Sequence, residues 1–206
     1  MDKNTISSYA TKLLLSYASS CGLDSQYVLS QISTIATKLL SDTRWISFEE
    51  WNQIQSFVGK KLYVDNYTLG YNATMEQYRH STKQTRILKV LPMIALKKFL
   101  PYIMTSYINK NLNCTLTEES GNLIFRISPV DITQYSRELC DYNKGSCAAI
   151  INMRMNRSDI VVEEMSCVLC GDLSCTYSMS MTGKRDPIKH TAVEISAEDI
   201  DRLFEE

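Results

Sequence analysis

The sequence predicts an α+β fold in which an antiparallel sheet from two hairpins is covered by a helical layer and preceded by an N-terminal helical segment. Residues 5–19 and 48–62 place apolar side chains at helical spacing, which indicates helices with one buried face. Two β-rich runs flank a short turn at Gly121, and two more flank a turn at Gly171. Helices, a hairpin, a helix and a second hairpin follow one another, as expected for this class.

The composition is that of a soluble domain without a bias towards anionic partners. The 206 residues include 22 basic and 23 acidic side chains, so the net charge of −1 gives no general attraction to nucleic acid or anionic lipid. No apolar run approaches the length of about 18 residues that indicates a membrane span. Seven cysteines and a polar N-terminus without a leader peptide favour a reducing cytoplasm. We expect a cytoplasmic protein that binds no nucleic acid and spans no membrane.

The N-terminal helical segment is predicted over residues 1–62. Apolar spacing predicts helices over residues 5–19 and 25–35, and a capping box at residues 47–50 starts a third helix that ends near Leu62. A DNA-reading helix-turn-helix is disfavoured because no helix here carries a cluster of basic residues. We expect the segment to pack on the main domain or to dimerise it, with the first helix as the main contact of a homodimer.

The main α+β domain is predicted over residues 63–183. It starts with a tyrosine-rich connection over residues 63–78, for which core packing is a more common explanation than a ligand site. An amphipathic helix is predicted over residues 86–100, and Pro101 marks either a second helix or a kinked continuation.

Two hairpins and the helix between them complete the domain. The first hairpin is predicted over residues 114–127. The helix is predicted over residues 131–155 with Asp131 as its cap, and its small residues at 145–149 allow another backbone to approach closely. The second hairpin is predicted over residues 159–181.

Five of the seven cysteines lie in the stretch from Cys140 onwards, which makes it the candidate functional region. Cys140, Cys167 and Cys175 together with Glu164 offer three thiolates and a carboxylate, a set that suits a closed, structural zinc site. Buried free thiols, which pack as small apolar side chains, are the alternative. The spacing alone leaves both interpretations open, because it matches neither of the common zinc-ribbon or zinc-finger patterns.

Six residues of the same stretch follow the pattern E-x-x-C…G-[DH]-x-x-C-x-[FY], namely Glu164, Cys167, Gly171, Asp172, Cys175 and Tyr177. This pattern resembles the signature of vinyl-4-reductase-like (4VR) sensor domains, the small-molecule-binding modules found in front of some bacterial transcription activators and cyclases. The resemblance implies an α+β fold and a small hydrophobic ligand. In zinc-binding members it also implies ligands at Glu164, Cys167 and Cys175 and at a cysteine of the preceding helix, here Cys140.

The choice of carboxylate ligand stays open between two neighbours. Strict strand alternation puts Glu163, Met165 and Cys167 on one face, whereas the family spacing selects Glu164. A β-bulge near Met165 would reconcile the two, and we therefore prefer Glu164 to Glu163. Two further thiols are interpreted as packed or exposed free thiols rather than ligands, namely Cys147 and Cys170.

Enzyme signatures are missing from the sequence, which predicts a non-enzymatic protein. There is no nucleophile elbow, Walker loop, glycine-rich dinucleotide motif or H-E-x-x-H. His80 and His190 are the two histidines, and neither lies beside a partner for acid–base chemistry. The related heme-binding nitric-oxide sensors share the general fold, but their Y-x-S-x-R porphyrin motif is not present, so we do not predict heme. Fold-related vesicle-tethering (TRAPP-like) subunits supply the rival interpretation, an interaction scaffold without a small ligand.

The C-terminal tail, residues 184–206, is predicted to be a linker followed by a short acidic helix. Residues 195–206 resemble the L-S-Q-x-E-I-D-x-L-[LF] peptide of flagellar switch proteins, which binds phosphorylated response regulators as a helix. The resemblance implies a signalling partner, and an ordinary docked C-terminal helix is the alternative. The whole chain is thus predicted to be a cytoplasmic regulatory domain with a small hydrophobic ligand and a structural zinc ion.

Overall fold

The computed structural model describes residues 4–32, 45–80, 91–155 and 160–180. The helices are α1 (Ser8–Ser20), α2 (Ser25–Ser30), α3 (Phe48–Leu62), α4 (Asn66–His80), α5 (Met93–Ile103) and α6 (Arg137–Met155). The strands are β1 (Asn4–Ser7), β2 (Trp45–Ser47), β3 (Leu112–Glu119), β4 (Asn122–Pro129), β5 (Val162–Ser166) and β6 (Cys175–Met179). This mixture of helices and antiparallel strands confirms the predicted α+β class.

The larger sheet is built from the two predicted hairpins. Its strand order is β3-β4-β6-β5, and all neighbours are antiparallel. The first hairpin turns at Ser120 and Gly121, whose φ values of 51° and 81° both fall in the left-handed region that tight hairpin turns need. The hairpins join through β4 and β6, where Ile127 lies opposite Cys175. That pairing puts one end of the first hairpin next to the cysteines of the second.

The inner face of the sheet is buried under helices. Phe125 of β4 and Tyr177 of β6 lie opposite each other and are fully buried. Helix α5 packs against β3 and helix α6 packs against β6, so the helical layer predicted from the sequence covers the sheet. The hydrophobic core therefore lies between this layer and the sheet.

Helices α4 and α6 cross with their backbones in direct contact at two glycines. A Cβ atom built on Gly70 of α4 would overlap the carbonyl oxygen of Tyr142 and lie 2.8 Å from its carbonyl carbon. A Cβ atom on Gly145 of α6 would overlap the carbonyl oxygen of Tyr67 in the same way. The small segment of α6 therefore does allow close approach of another backbone, as predicted.

Three predicted boundaries are wrong, and each error has a local cause. Residues 5–7 form strand β1, not the start of a helix, because they pair with β2, and α1 begins only after Ser7, whose side chain accepts a hydrogen bond from the Tyr9 amide. The tyrosine-rich residues 66–80 form helix α4 instead of a connection. The Asp131 carboxylate accepts a hydrogen bond from the Thr133 amide and so caps only a short 3-10 turn, and α6 begins at Arg137.

The N-terminal helices pack into the same core as the rest of the described chain. The capping box is confirmed, since the Ser47 hydroxyl accepts from the Glu50 amide and the Glu50 carboxylate accepts from the Ser47 amide. Helix α1 packs against α2, α3 and α4 and buries side chains such as Leu14 and Ala18. The apolar face of α1 is thus covered within the chain, and the expected homodimer draws no support from it.

Some predicted elements lie outside the described residues. These include residues 86–90 of the predicted amphipathic helix, residues 33–35 of the second helix, and the tail with its partner-binding residues 195–206. Helix α5 continues through Pro101 into a π-helical turn, Met104–Ile108, so the chain here is a continuation of one helix and not a separate second helix. Among the helices the structure describes, none combines the length and apolarity needed to cross a membrane.

Candidate metal centre

Three cysteines from three different elements meet under the end of the sheet. Cys140 lies in the first turn of α6, Cys167 follows β5, and Cys175 is the first residue of β6. All three are buried, and their sulfur atoms lie within 4.8 Å of one another. The Cys140 and Cys175 sulfurs are 3.4 Å apart, and the Cys167 and Cys175 sulfurs are 3.8 Å apart. Tetrahedral zinc with bonds of about 2.3 Å to sulfur needs sulfurs about 3.8 Å apart, so the three thiols fit the ion.

A β-bulge in β5 brings Glu164 to the same face of the sheet as Cys167. Glu164 lies opposite Tyr177 and Ser166 lies opposite Thr176, so Met165 is the extra residue. Its side chain is 65% exposed, whereas Glu164 is half-buried beside the thiols and Glu163 is exposed. The predicted bulge near Met165 is confirmed, and it orients Glu164 towards the cluster.

Glu164 itself lies outside the group of three thiols because an arginine holds it. Arg137 donates one hydrogen bond to each carboxylate oxygen, at 2.9 and 2.7 Å. The same guanidinium lies 3.6 Å from the Cys167 sulfur and 3.2 Å from a carboxylate oxygen of Asp141. The Glu164 carboxylate raises the pKa of Arg137, so the arginine stays charged. The structure thus brings together Cys140, Cys167 and Cys175, with Glu164 beside Cys167 and hydrogen-bonded to Arg137.

Sequence reasoning missed Arg137, although a signal was present. Arg137 lies one turn before Cys140, in the first turn of α6, and Ser136 caps that turn by accepting a hydrogen bond from the Leu139 amide. A cation is unfavourable at a helix N-terminus unless an anion lies next to it. A basic residue there therefore indicates a carboxylate partner from elsewhere in the chain, here Glu164.

The three thiols are linked by hydrogen bonds that change their pKa values. The Cys140 thiol donates to the Cys175 sulfur, which lowers the pKa of Cys175 to about 6 against the opposing effect of burial. Donation to Cys175, together with burial, raises the pKa of Cys140, and burial raises the pKa of Cys167 to about 11. Its neighbours therefore favour deprotonation of Cys175, and the thiolate is the form that binds a metal ion.

Polar side chains surround the sulfurs on the core side. The Tyr177 hydroxyl lies 2.8 Å from the Cys140 sulfur and 3.2 Å from its carbonyl oxygen. The Tyr135 hydroxyl and the Asn143 amide nitrogen are buried, and Tyr135 interacts with Asn143 and with the Cys140 and Cys175 thiols. The Tyr135 interaction lowers the pKa of Cys175, so this environment favours its deprotonated form.

The turn between β5 and β6 is held by its own residues. The Cys167 amide donates to the Asp172 carboxylate at 2.9 Å, and Gly171 has a φ of 99°, in the left-handed region. Cys170 in this turn is exposed and Cys147 of α6 is buried, and both are free cysteines, as expected.

An open groove runs between α2 and α3. Its volume is about 670 Å³, and it is lined by Gln31, Ile32, Phe48, Glu49, Asn52, Gln53, Ser56, Phe57 and Lys60. Small hydrophobic ligands are usually enclosed by mostly apolar walls. This groove is open and carries several polar side chains, so it gives no support to the predicted hydrophobic ligand.

The chain resembles known H-NOX domains in fold, but its sequence matches no family model. No family model and no curated protein matches the chain, so the 4VR resemblance is not confirmed. An H-NOX (heme-nitric-oxide-binding) protein from S. oneidensis in the Fe(II) ligation state superposes with a TM-score of 0.54 at 12% identity, over 88% of this chain and 98% of that chain. A Cs H-NOX variant with 4-cyano-L-phenylalanine gives a TM-score of 0.51 at 9% identity, over 89% and 100%. The chain therefore has the fold of H-NOX domains.

Proposed function

We propose that this chain is a non-enzymatic sensor domain in which a structural zinc ion fixes the second hairpin to helix α6. Cys140, Cys167 and Cys175 would hold the ion, with Glu164 as the fourth ligand. The single observation that carries the proposal is the meeting of three buried thiols from three elements at the spacing of a tetrahedral zinc site. Bound zinc would supply cross-links between elements and no chemistry, since four protein ligands leave no open position.

Free buried cysteines are a weaker explanation of the same cluster. Free thiols pack in a core as small apolar groups, so packing alone gives no reason for three of them to lie in contact. Here the Cys140 thiol lowers the pKa of Cys175 to about 6 inside a buried cluster, and the buried Tyr135 hydroxyl lies beside the same sulfur. A bound cation would favour the deprotonated form of all three thiols.

The sensing role rests on the fold and on the residues together. H-NOX domains are a family of sensor domains, and this chain shares their fold at low sequence identity. The named H-NOX structure contains Fe(II). We do not propose heme for this chain, because its sequence lacks the Y-x-S-x-R motif. A small hydrophobic ligand and a cytoplasmic location, consistent with seven free cysteines, complete the proposal.

An interaction scaffold is the second candidate, and exposed apolar side chains near the cluster favour it. Val130 and Ile132 follow β4 and are 61% and 46% exposed, and Leu173 in the β5–β6 turn is 95% exposed. The Ser128 hydroxyl donates to the Leu173 carbonyl, which places these segments side by side. The proposed homodimer and the response-regulator-type partner of residues 195–206 belong to this candidate as well, and light scattering at micromolar protein tests the dimer.

Zinc content tests the leading proposal directly. Native mass spectrometry and elemental analysis of protein purified under reducing conditions without chelator should give about one zinc per chain. Cys175→Ser should lose the zinc, because it removes one of three thiolates, and should loosen the β5–β6 hairpin. Cys170→Ser is the matched control, because Cys170 lies in the same hairpin but is exposed, and it should keep the zinc. Freshly purified, reduced wild-type protein without zinc would rule the site out.

A further inference from the structure

The guanidinium of Arg137 occupies the corner of the cluster that the fourth ligand has to enter. Its Nη1 atom lies 2.9 Å from one oxygen of Glu164 and 3.6 Å from the sulfur of Cys167. A zinc ion bound by both residues needs the same two atoms at about 2.0–2.3 Å. Arginine and zinc cannot both sit between them, because two cations that close repel each other and compete for the same electron pairs.

We propose that Arg137 is a competing cation that sets the metal affinity of the cluster by withholding Glu164. This inference rests on the proposed zinc site and adds a residue that controls it. Zinc binding through the Glu164 oxygen that Nη1 holds requires that hydrogen bond to break, so part of the binding free energy offsets its loss. Without the arginine, Glu164 and the three thiols are available to the ion at once.

Asp141 is an alternative ion-pair partner for Arg137 after Arg137 leaves Glu164. It lies one turn after Arg137 on α6, and its carboxylate oxygen is already 3.2 Å from Arg137. The Arg137 side chain is 51% exposed, so it can move along the helix surface without breaking the core. The exchange therefore needs movement of two side chains, those of Arg137 and Glu164, and both already lie at the edge of the cluster.

If Arg137 instead orients Glu164 for metal binding, removing Arg137 should change the zinc affinity in the opposite direction. A residue that merely orients a metal ligand from the outer shell increases affinity, and its removal weakens metal binding about 10–100-fold. A residue that withholds the ligand lowers affinity, and its removal strengthens binding. Zinc affinity therefore separates the two roles, whereas protein stability does not.

The experiment compares zinc affinity in Arg137→Gln and in wild-type protein, both reduced, by competition with a chromophoric chelator. The glutamine keeps the length and polarity of the side chain and removes its charge. We expect the Kd for zinc to fall about threefold to tenfold, which is the range for losing charged hydrogen bonds that are partly exposed to solvent. Arg126→Gln is the matched control, because Arg126 also donates twice to a carboxylate, that of Glu119, and its Kd should match wild type.

A double-mutant comparison tests whether the effect passes through Glu164. In a Glu164→Gln background, Arg137→Gln should leave the Kd unchanged, because no carboxylate remains to be withheld. A gain that persists there shows a general charge effect and overturns the inference, and so does an unchanged or higher Kd in Arg137→Gln alone. If wild type binds zinc in either of these cases, the proposed site stands without the arginine's role. If neither wild type nor Arg137→Gln binds zinc, both proposals fall. Far-UV circular dichroism confirms that each variant is folded.

Discussion

The crossing of α4 and α6 predicts that one methyl group at Gly70 destabilises the protein. In an ordinary helix Gly→Ala stabilises by about 1 kcal/mol, because alanine has the higher helix propensity. Here the new Cβ would overlap the Tyr142 carbonyl oxygen and lie 2.8 Å from the carbonyl carbon, where 3.4 Å or more is ordinary contact. The neighbour is backbone and cannot rotate away, so the two helices must separate by about an ångström.

Separation on this scale costs about 3 kcal/mol, the upper end of the usual range for overpacked cores, because two backbones and not a single side chain must move. After the gain in helix propensity, we expect Gly70→Ala to lower the free energy of unfolding by about 2 kcal/mol. In a chain of this length that loss lowers Tm by about 4–8 °C. Urea denaturation followed by circular dichroism measures the first quantity, and a thermal scan measures the second.

Gly59 provides the matched control, because it lies inside α3 but its Cβ would meet the Val64 carbonyl oxygen at 3.3 Å. That contact is tight but relaxes with a small shift, so Gly59→Ala should stay within about 1 kcal/mol of wild type. Gly145→Ala should behave like Gly70→Ala, and the double variant should lose less than the sum, since one separation of the helices relieves both overlaps. Wild-type stability in Gly70→Ala, or an equal loss in Gly59→Ala, would refute the reasoning.

Further predictions concern a cap and a thiol. Ser47→Ala should lower the free energy of unfolding by about 1 kcal/mol, because α3 loses its side-chain acceptor for the Glu50 amide, and urea denaturation measures the loss. In metal-free, reduced protein the lowered pKa of Cys175 should make thiolate absorbance at 240 nm appear near pH 6. An unfolded cysteine titrates near pH 8.5, so this group's contribution is complete above that pH and lost as pH falls through about 6. Cys175→Ser should remove both the absorbance step and that part of the pH dependence; persistence of either would contradict the assignment.

Most of the fold could be predicted from interactions between residues that are close in the sequence. The capping box of Ser47 and Glu50 fixes the start of α3, since both of its hydrogen bonds join residues three positions apart. The first hairpin follows from Ser120 and Gly121, which accept the left-handed backbone of a tight turn. The bulge at Met165 could be predicted because only an extra residue places Glu164 and Cys167 on one face.

Contacts between distant residues account for what could not be predicted. Gly70 weakens the helical signal of α4, and its reason for being there is the backbone of Tyr142, which no local pattern reveals. Strand β1 forms because it pairs with β2, about 40 residues later. The Arg137–Glu164 contact joins two elements that are far apart in the sequence. The position of Arg137 at a helix start therefore indicates a carboxylate partner without indicating which one.

Because the backbones of α4 and α6 are in direct contact at Gly145, this residue is the point about which α6 would pivot. Cys140 lies five residues to one side of it, about 7.5 Å along the axis, and Met155 lies ten residues to the other side, about 15 Å away. Any tilt of α6 about the crossing therefore moves its far end roughly twice as far as its thiol end. A rigid tilt of α6 that shifts the Cys140 thiol would therefore shift the opposite end of the helix further.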